Sequence, residues 1–268
     1  MIKDFVTIIS DNISNFPRIM SMSRINLKKQ NRGADLGWLW SLAKPVIYIV
    51  MFYFAISLGF RQAKDIDGIV CPYLIWIAAG FSAWFYIQDM IIGGANCFKK
   101  NKSLIKNSTF PVTIIPAVNA LTGIYIHLCM VGIILVLAAV VGVKPNLCWL
   151  QIPFYTVLML IMTYFWSLAT GLLAIVSTDF VDLLKAVKPA FFWLSGILFN
   201  SRASGPRIVF VLNPITYLVE GYRNCVCYNM WFWQDPVGLA CFLGVLLVMA
   251  LVSLLLYRRL RKQLPEII

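Results

Sequence analysis

Five apolar stretches constrain this chain more than any other feature: Leu36–Phe60, Tyr73–Gly93, Val112–Val143, Trp149–Val176 and Val237–Tyr257. At ~1.5 Å of rise per helical residue, about 20 residues match a hydrocarbon core of ~30 Å. Inside lipid the backbone must satisfy its own hydrogen bonds, so each stretch is expected to be a helix. Only Lys44-Pro45 interrupts the first. With 60% hydrophobic and 13% charged residues, the chain carries more apolar surface than a soluble domain could hide. The expectation is an all-α, multi-pass membrane protein. The net charge of +12 does not point to nucleic acid, because the basic residues sit beside apolar spans rather than on a soluble face.

A sixth crossing is less regular. Ser177–Lys188 carries Asp179, Asp182, Lys185 and Lys188, and the apolar Pro189–Phe199 is too short to cross alone. It must borrow length from the half-polar helix before it. Asp179 and Asp182 suit a helix start, where the positive dipole end favours acids. After the polar patch around Arg202–Arg207 comes Ile208–Val219, short, apolar and broken at Asn213-Pro214. That pattern predicts a re-entrant or surface-lying outer hairpin between spans five and six. Glu220 and Arg223 lie three apart, so they share a helix face there.

The N-terminus is amphipathic, and no cleavable signal peptide is expected. Ile2, Phe5, Val6, Ile9, Ile13 and Phe16 fall on one helical face, with Lys3, Asp4, Ser10, Asp11, Asn12 and Asn15 on the other. This predicts a helix lying in the membrane interface and ended by Pro17. The division expected is an interfacial helix and basic connector over 1–35, then a six-span domain over 36–268.

Asn96–Pro116 is the densely basic break between spans. Lys99, Lys100, Lys102 and Lys106 lie in it without an acid. Membrane proteins keep such segments cytoplasmic. With both termini on that side, the inner segments hold 16 Lys and Arg and the outer ones 6, which supports the same threading.

Chemistry-bearing motifs are scarce. No GxxxxGK[ST] is present, so no P-loop cradles a nucleotide. His127, the one histidine, falls mid-span and reads as a packed, hydrogen-bonded residue rather than a metal ligand. Asp89 is the exceptional acid within the spans, which argues against a self-powered proton or sodium transporter. The seven cysteines show no zinc spacing and read as unpaired small apolar residues, with a disulfide among Cys71, Cys148, Cys225 and Cys227 left open. Trp38, Trp40, Tyr48, Phe52, Tyr53, Phe191, Phe192 and Trp193 fit either interface belts and packing or a channel lining on which sugar rings stack.

Three stretches then resemble one family. Residues 33–45, GADLGWLWSLAKP, resemble the first-span entrance of ABC-2-type permeases that export O-antigen, capsule and teichoic-acid polysaccharides. Residues 103–116, SLIKNSTFPVTIIP, resemble that family's cytoplasmic loop, and residues 212–223, LNPITYLVEGYR, its outer segment before the last span. Asn107, Ser108 and Thr109 are more polar than the family pattern, and Lys44 stands where many members carry Asn. The resemblance implies two permease copies, two copies of a separate ATPase carrying the ATP and Mg, and a lipid-linked glycan as substrate. It places the chain in a bacterial cytoplasmic membrane with no cofactor of its own. It also makes the loop around 96–110 the contact with the motor. Phe98, Leu104, Ile105 and Phe110 would be its apolar anchors, Lys99, Lys100, Lys102 and Lys106 its basic surface, and Pro111 its sharp end. The alternatives are an ABC-2 permease for a drug or other small molecule, and a membrane enzyme. The enzyme would need a cluster of His and acids at one membrane face, which the sequence does not supply.

Overall fold

The computed structural model describes residues 2–30, 39–59, 71–106, 110–199, 207–261 and 264. Trp38, Asn107–Thr109, Arg202 and the charged loop at 61–70 lie outside the described residues, and the side chain of Arg207 does too. Twelve α-helices follow one another among the described residues, without strands. They are α1 (Ile2–Ser14), α2 (Phe16–Gln30), α3 (Leu39–Gly59), α4 (Tyr73–Ala95), α5 (Cys97–Lys100), α6 (Lys102–Ile105), α7 (Ile114–Val140), α8 (Ile152–Val176), α9 (Asp179–Trp193), α10 (Arg207–Leu212), α11 (Pro214–Arg223) and α12 (Pro236–Leu260).

Four of these are long and apolar enough to cross a membrane: α4, α7, α8 with the 3-10 turn Leu147–Gln151 before it, and α12. α3 covers 21 residues of the first apolar stretch, and the other residues of Leu36–Phe60 lie outside the described ones. The fifth expected crossing is the 15-residue α9, whose ~1.5 Å rise per residue leaves it short of a ~30 Å core. Its chain then turns at Leu194–Phe199 and returns through α10 and α11.

The centre of the bundle is α4. In it 78% of the most apolar stretch is buried, against 17% in α12. It packs on α3, α7, α8, α9 and α11, while α12 closes the bundle against α8, α10 and α11. Lipid and protein core are both apolar, so α4 and α12 read alike in sequence and differ only in what surrounds them.

α1 is oriented by its polar side. Asp4 pairs with Arg261 of the tail at 3.0 Å. Thr113 donates to Asp11 at 2.8 Å, and Asn12 donates to the Tyr164 hydroxyl at 3.1 Å. Tyr164 in turn donates to the Thr113 carbonyl. Phe5, Val6, Ile9, Ile13 and Phe16 are left exposed as an apolar stripe. A helix on a soluble protein would do the reverse. The helix ends at Ser14 and α2 starts at Phe16, so Pro17 sits in a first turn, where its missing N–H is not needed.

Candidate functional site

A cavity of about 620 Å³ lies between α3, α4, α7 and α9. It begins beside Gln30 and Lys100, at the basic end of α4, and runs up to Ser82, His127 and Met130 in mid-span. Tyr48, Phe85 and Pro45 form part of its apolar wall, and Lys44, Asp89 and Lys188 part of its polar wall. Asp89 thus shares this space with Lys44, Lys100 and Lys188. Sequence reasoning singled out Asp89 as a lone acid but could not see that three lysines from α3, α5 and α9 surround the same space.

The upper end of the cavity is closed by a polar network. His127 Nδ1 lies 3.1 Å from the Ser82 carbonyl, and a carbonyl can only accept, so Nδ1 donates. In the neutral ring Nε2 then accepts from the Tyr222 hydroxyl at 2.7 Å, which itself stands 2.8 Å from Thr156 Oγ1. Tyr86 donates to the Ala120 carbonyl at 3.0 Å. His127 is thus a satisfied core residue linking α4, α7 and α11, as its solitary position suggested.

The expected aromatic lining separates into groups. Tyr48 reaches the cavity, its ring 6.2 Å from Phe85. Phe52 and Phe192 instead belong to a packed cluster, with Phe52 5.2 Å from Phe81 and Phe192 5.4 Å from Trp84. Phe191 meets Trp166 edge-on, Tyr53 meets Phe54, and Trp40 and Trp193 are exposed.

The basic segment differs from expectation in one respect that matters. Phe98, Ile105 and Phe110 are buried within the chain itself, in a cluster with Ile114, Leu168, Leu172 and Leu254. Phe98 is 0% exposed, and its ring lies where a Cβ on Gly171 would come within 2.6 Å of it. Phe110 is capped by the Arg18 guanidinium 4.5 Å above its ring. Rings already buried at home cannot be knobs for a groove on another protein. The outward side chains are Lys100, Lys102, Ser103 and Lys106, with Lys99 and Leu104 half-buried and Pro111 at the end. The apolar residues therefore seat the segment on α7 and α8 instead of seating a partner on the segment.

The Glu220–Arg223 pair is buried. Arg223 is 0% exposed and Glu220 7%. Nη1 donates to Glu220 Oε1 at 2.8 Å and to the Gly196 carbonyl at 2.9 Å. Nε donates to the Trp76 carbonyl at 3.3 Å, and Nη2 to that of Ile197. The guanidinium also stacks 3.4 Å over the Trp76 ring. Gly196 adopts φ 63°, a left-handed turn conformation that aims these carbonyls inward and that a side chain would resist. Asn213 completes the hairpin: its Oδ1 caps α11 by accepting from Ile215 N–H at 3.0 Å, and its Nδ2 donates to the Leu194 carbonyl at 2.9 Å. Pro214 occupies the first helical turn. The seven cysteines are free thiols.

Long apolar helices around a cavity, with a basic cytoplasmic-type segment at its mouth, describe a transport component. The chain belongs to the ABC-2 type transporter family, whose model matches residues 17–227. It is similar to an O-antigen export system permease protein RfbA of Klebsiella pneumoniae, 23% identical over 256 residues that cover 94% of this chain and 95% of that protein. A protein of the same name from Myxococcus xanthus is 24% identical over 251 residues, 90% of this chain and 92% of the relative.

Proposed function

We propose that this chain is the permease subunit of an ATP-driven exporter that moves a lipid-linked polysaccharide, of O-antigen, capsule or teichoic-acid type, out of a bacterial cytoplasm. The observation that carries this reading is the cavity. It climbs from the basic segment to mid-span, with a polar and aromatic wall suited to a ligand that is part glycan and part charged. The names of the end-to-end relatives support the same reading. Two copies form the pore in the cytoplasmic membrane, and two copies of a separate ATPase bind ATP and Mg. Each copy crosses six times with both termini inside. α9 and the return through α10 and α11 supply the fifth crossing and the re-entrant outer hairpin. α1 lies in the interface with Phe5, Val6, Ile9, Ile13 and Phe16 in lipid, which explains why its polar face is bonded to the chain. The segment 96–110 receives the motor stroke through its lysines, and the buried anchors Phe98, Ile105 and Phe110 pass it to α7 and α8.

Depletion of the chain is expected to trap glycan inside the cell and to leave small-molecule efflux unchanged. Loss of efflux with normal surface glycan would transfer the protein to the drug-exporting branch.

Threading is tested separately by cysteine labelling in a background without native cysteines. Lys102→Cys is expected to be protected from impermeant reagents in intact cells, and Leu147→Cys to react. Labelling of position 102 from outside would reverse the topology.

A further inference from the structure

Four cysteines gather round one irregular turn. Arg223 ends α11, and Asn224–Tyr228 continues it as a π-helical turn that Asn229 closes at φ 53°. Such turns are rare and often mark functional sites. This one packs on α4 and on the 3-10 turn Leu147–Gln151. Cys225 and Cys227 lie two apart on it, both 0% exposed. Cys148 belongs to the 3-10 turn, and Cys71 stands two residues before α4. On the α4 side, the Trp76 indole N–H donates to the Tyr228 hydroxyl at 2.9 Å, which holds the residue after Cys227 on the first turn of α4. The Arg223 guanidinium lies over the same indole. Between these two fastenings the Cys227 and Cys71 thiols hydrogen-bond to each other. Sulfurs in such contact need only a small approach to reach the ~2 Å length of an S–S bond. Neither cysteine lines the cavity between α3, α4, α7 and α9.

We propose that Cys71 and Cys227 are a redox pair that closes into a disulfide on the outer side of the membrane and staples the hairpin of α10 and α11 to the start of α4. The oxidant is itself a disulfide, free or carried by a thiol oxidase. Cys71, 7% exposed against 0% for Cys227, is the sulfur it reaches first. The Cys71 sulfur displaces one thiolate from the oxidant and forms a mixed disulfide. The Cys227 sulfur then attacks the Cys71 sulfur and expels the second thiolate. Each cysteine gives up one proton and one electron, and the oxidant leaves as two thiols. Cys148 and Cys225 remain thiols. The staple joins the central helix to the turn that follows Arg223, so it secures the junction that the carbonyl shell of Arg223 already holds. This assignment rests on the threading proposed above, which puts the start of α4 outside, where disulfides form and persist.

The test uses the full-length protein purified in detergent, reduced with dithiothreitol and then exposed to oxidised glutathione. This polar oxidant does not reach Cys129 and Cys241, which lie in the detergent-covered α7 and α12. Maleimide-polyethylene glycol counts free thiols after denaturation. The reduced protein should show all seven and the oxidised protein two fewer. A non-reduced digest of the oxidised protein should yield a peptide pair linked through Cys71 and Cys227. Cys71→Ala should keep its remaining thiols, whereas Cys227→Ala should stall as a glutathione adduct on Cys71. Either variant suffices if the other does not fold. Cys148→Ala with Cys225→Ala should still form the same link. Oxidation should raise the melting temperature of the wild type by ~5 °C and leave that of Cys71→Ala unchanged. An unchanged thiol count, a link through Cys148 or Cys225, or equal melting of the two forms would overturn the staple. These measurements do not depend on threading. In acid-quenched cells the same linked peptides are expected. Reduced Cys71 and Cys227 there, with Leu147→Cys still labelled from outside, would overturn oxidation of the pair in the cell. The same result with Leu147→Cys protected would instead overturn the threading.

Discussion

Arg223→Met is expected to abolish the folded protein, with little or no monodisperse material recovered from detergent extracts. The guanidinium neutralises Glu220 and also meets the carbonyls of Trp76, Gly196 and Ile197. Removing one partner of a buried ion pair costs about 3–5 kcal/mol, because the other charge stays buried. Here three carbonyls lose a donor as well. A surface pair of the same spacing would be worth at most ~1 kcal/mol. Arg223→Lys should rescue only in part, since an ammonium cannot reproduce the planar fork or stack on Trp76 in the same way. The decisive variant is the double reversal Glu220→Arg with Arg223→Glu. If the site were an ion pair alone, the swap would restore stability. In this structure it aims a carboxylate at three carbonyl oxygens, so it should behave no better than the single variants. Thermal unfolding of the purified protein reads the difference. Recovery of the wild-type melting temperature by the double reversal would show that the carbonyl shell contributes nothing.

Phe98→Ala should destabilise the chain by about 3–5 kcal/mol, the usual range for emptying a buried phenylalanine site. The loss should appear as a lowered melting temperature in the permease purified without its ATPase. The ring is fully enclosed and lies on Gly171 of α8, so nothing simple can collapse into the void. Lys102→Gln with Lys106→Gln should leave that melting temperature unchanged. It should slow ATPase association and alter its salt dependence, as rim charges do. The two variants thus separate support of the segment from recognition by it. If Phe98→Ala melted like wild type yet failed to bind the ATPase, the ring would be a knob after all and its burial would be lost on assembly.

Sequence alone determined the class of protein and the position of its long helices. Runs of apolar residues longer than a bilayer core leave the backbone no other option, and α4, α7, α8 and α12 lie where those runs predict. It also marked the basic segment, the helix break at Asn213-Pro214, and Glu220 with Arg223 on one face, because charge runs, caps and i,i+3 spacing are local properties. Only the tertiary structure decided what each apolar residue touches. In a membrane protein, lipid and core are equally apolar, so periodicity does not tell a packed face from a lipid-facing one. Phe98 therefore read as an exposed anchor when it is among the most buried rings of the chain. For Phe52 and Phe192 the sequence left packing and channel lining both open, and the structure packs them into a cluster. The carbonyl shell of Arg223 and the lysines around Asp89 were illegible for a different reason. Trp76 is 147 residues from Arg223, and Lys44 is 144 from Lys188. No spacing rule relates positions that meet only when α3, α4, α9 and α11 pack together.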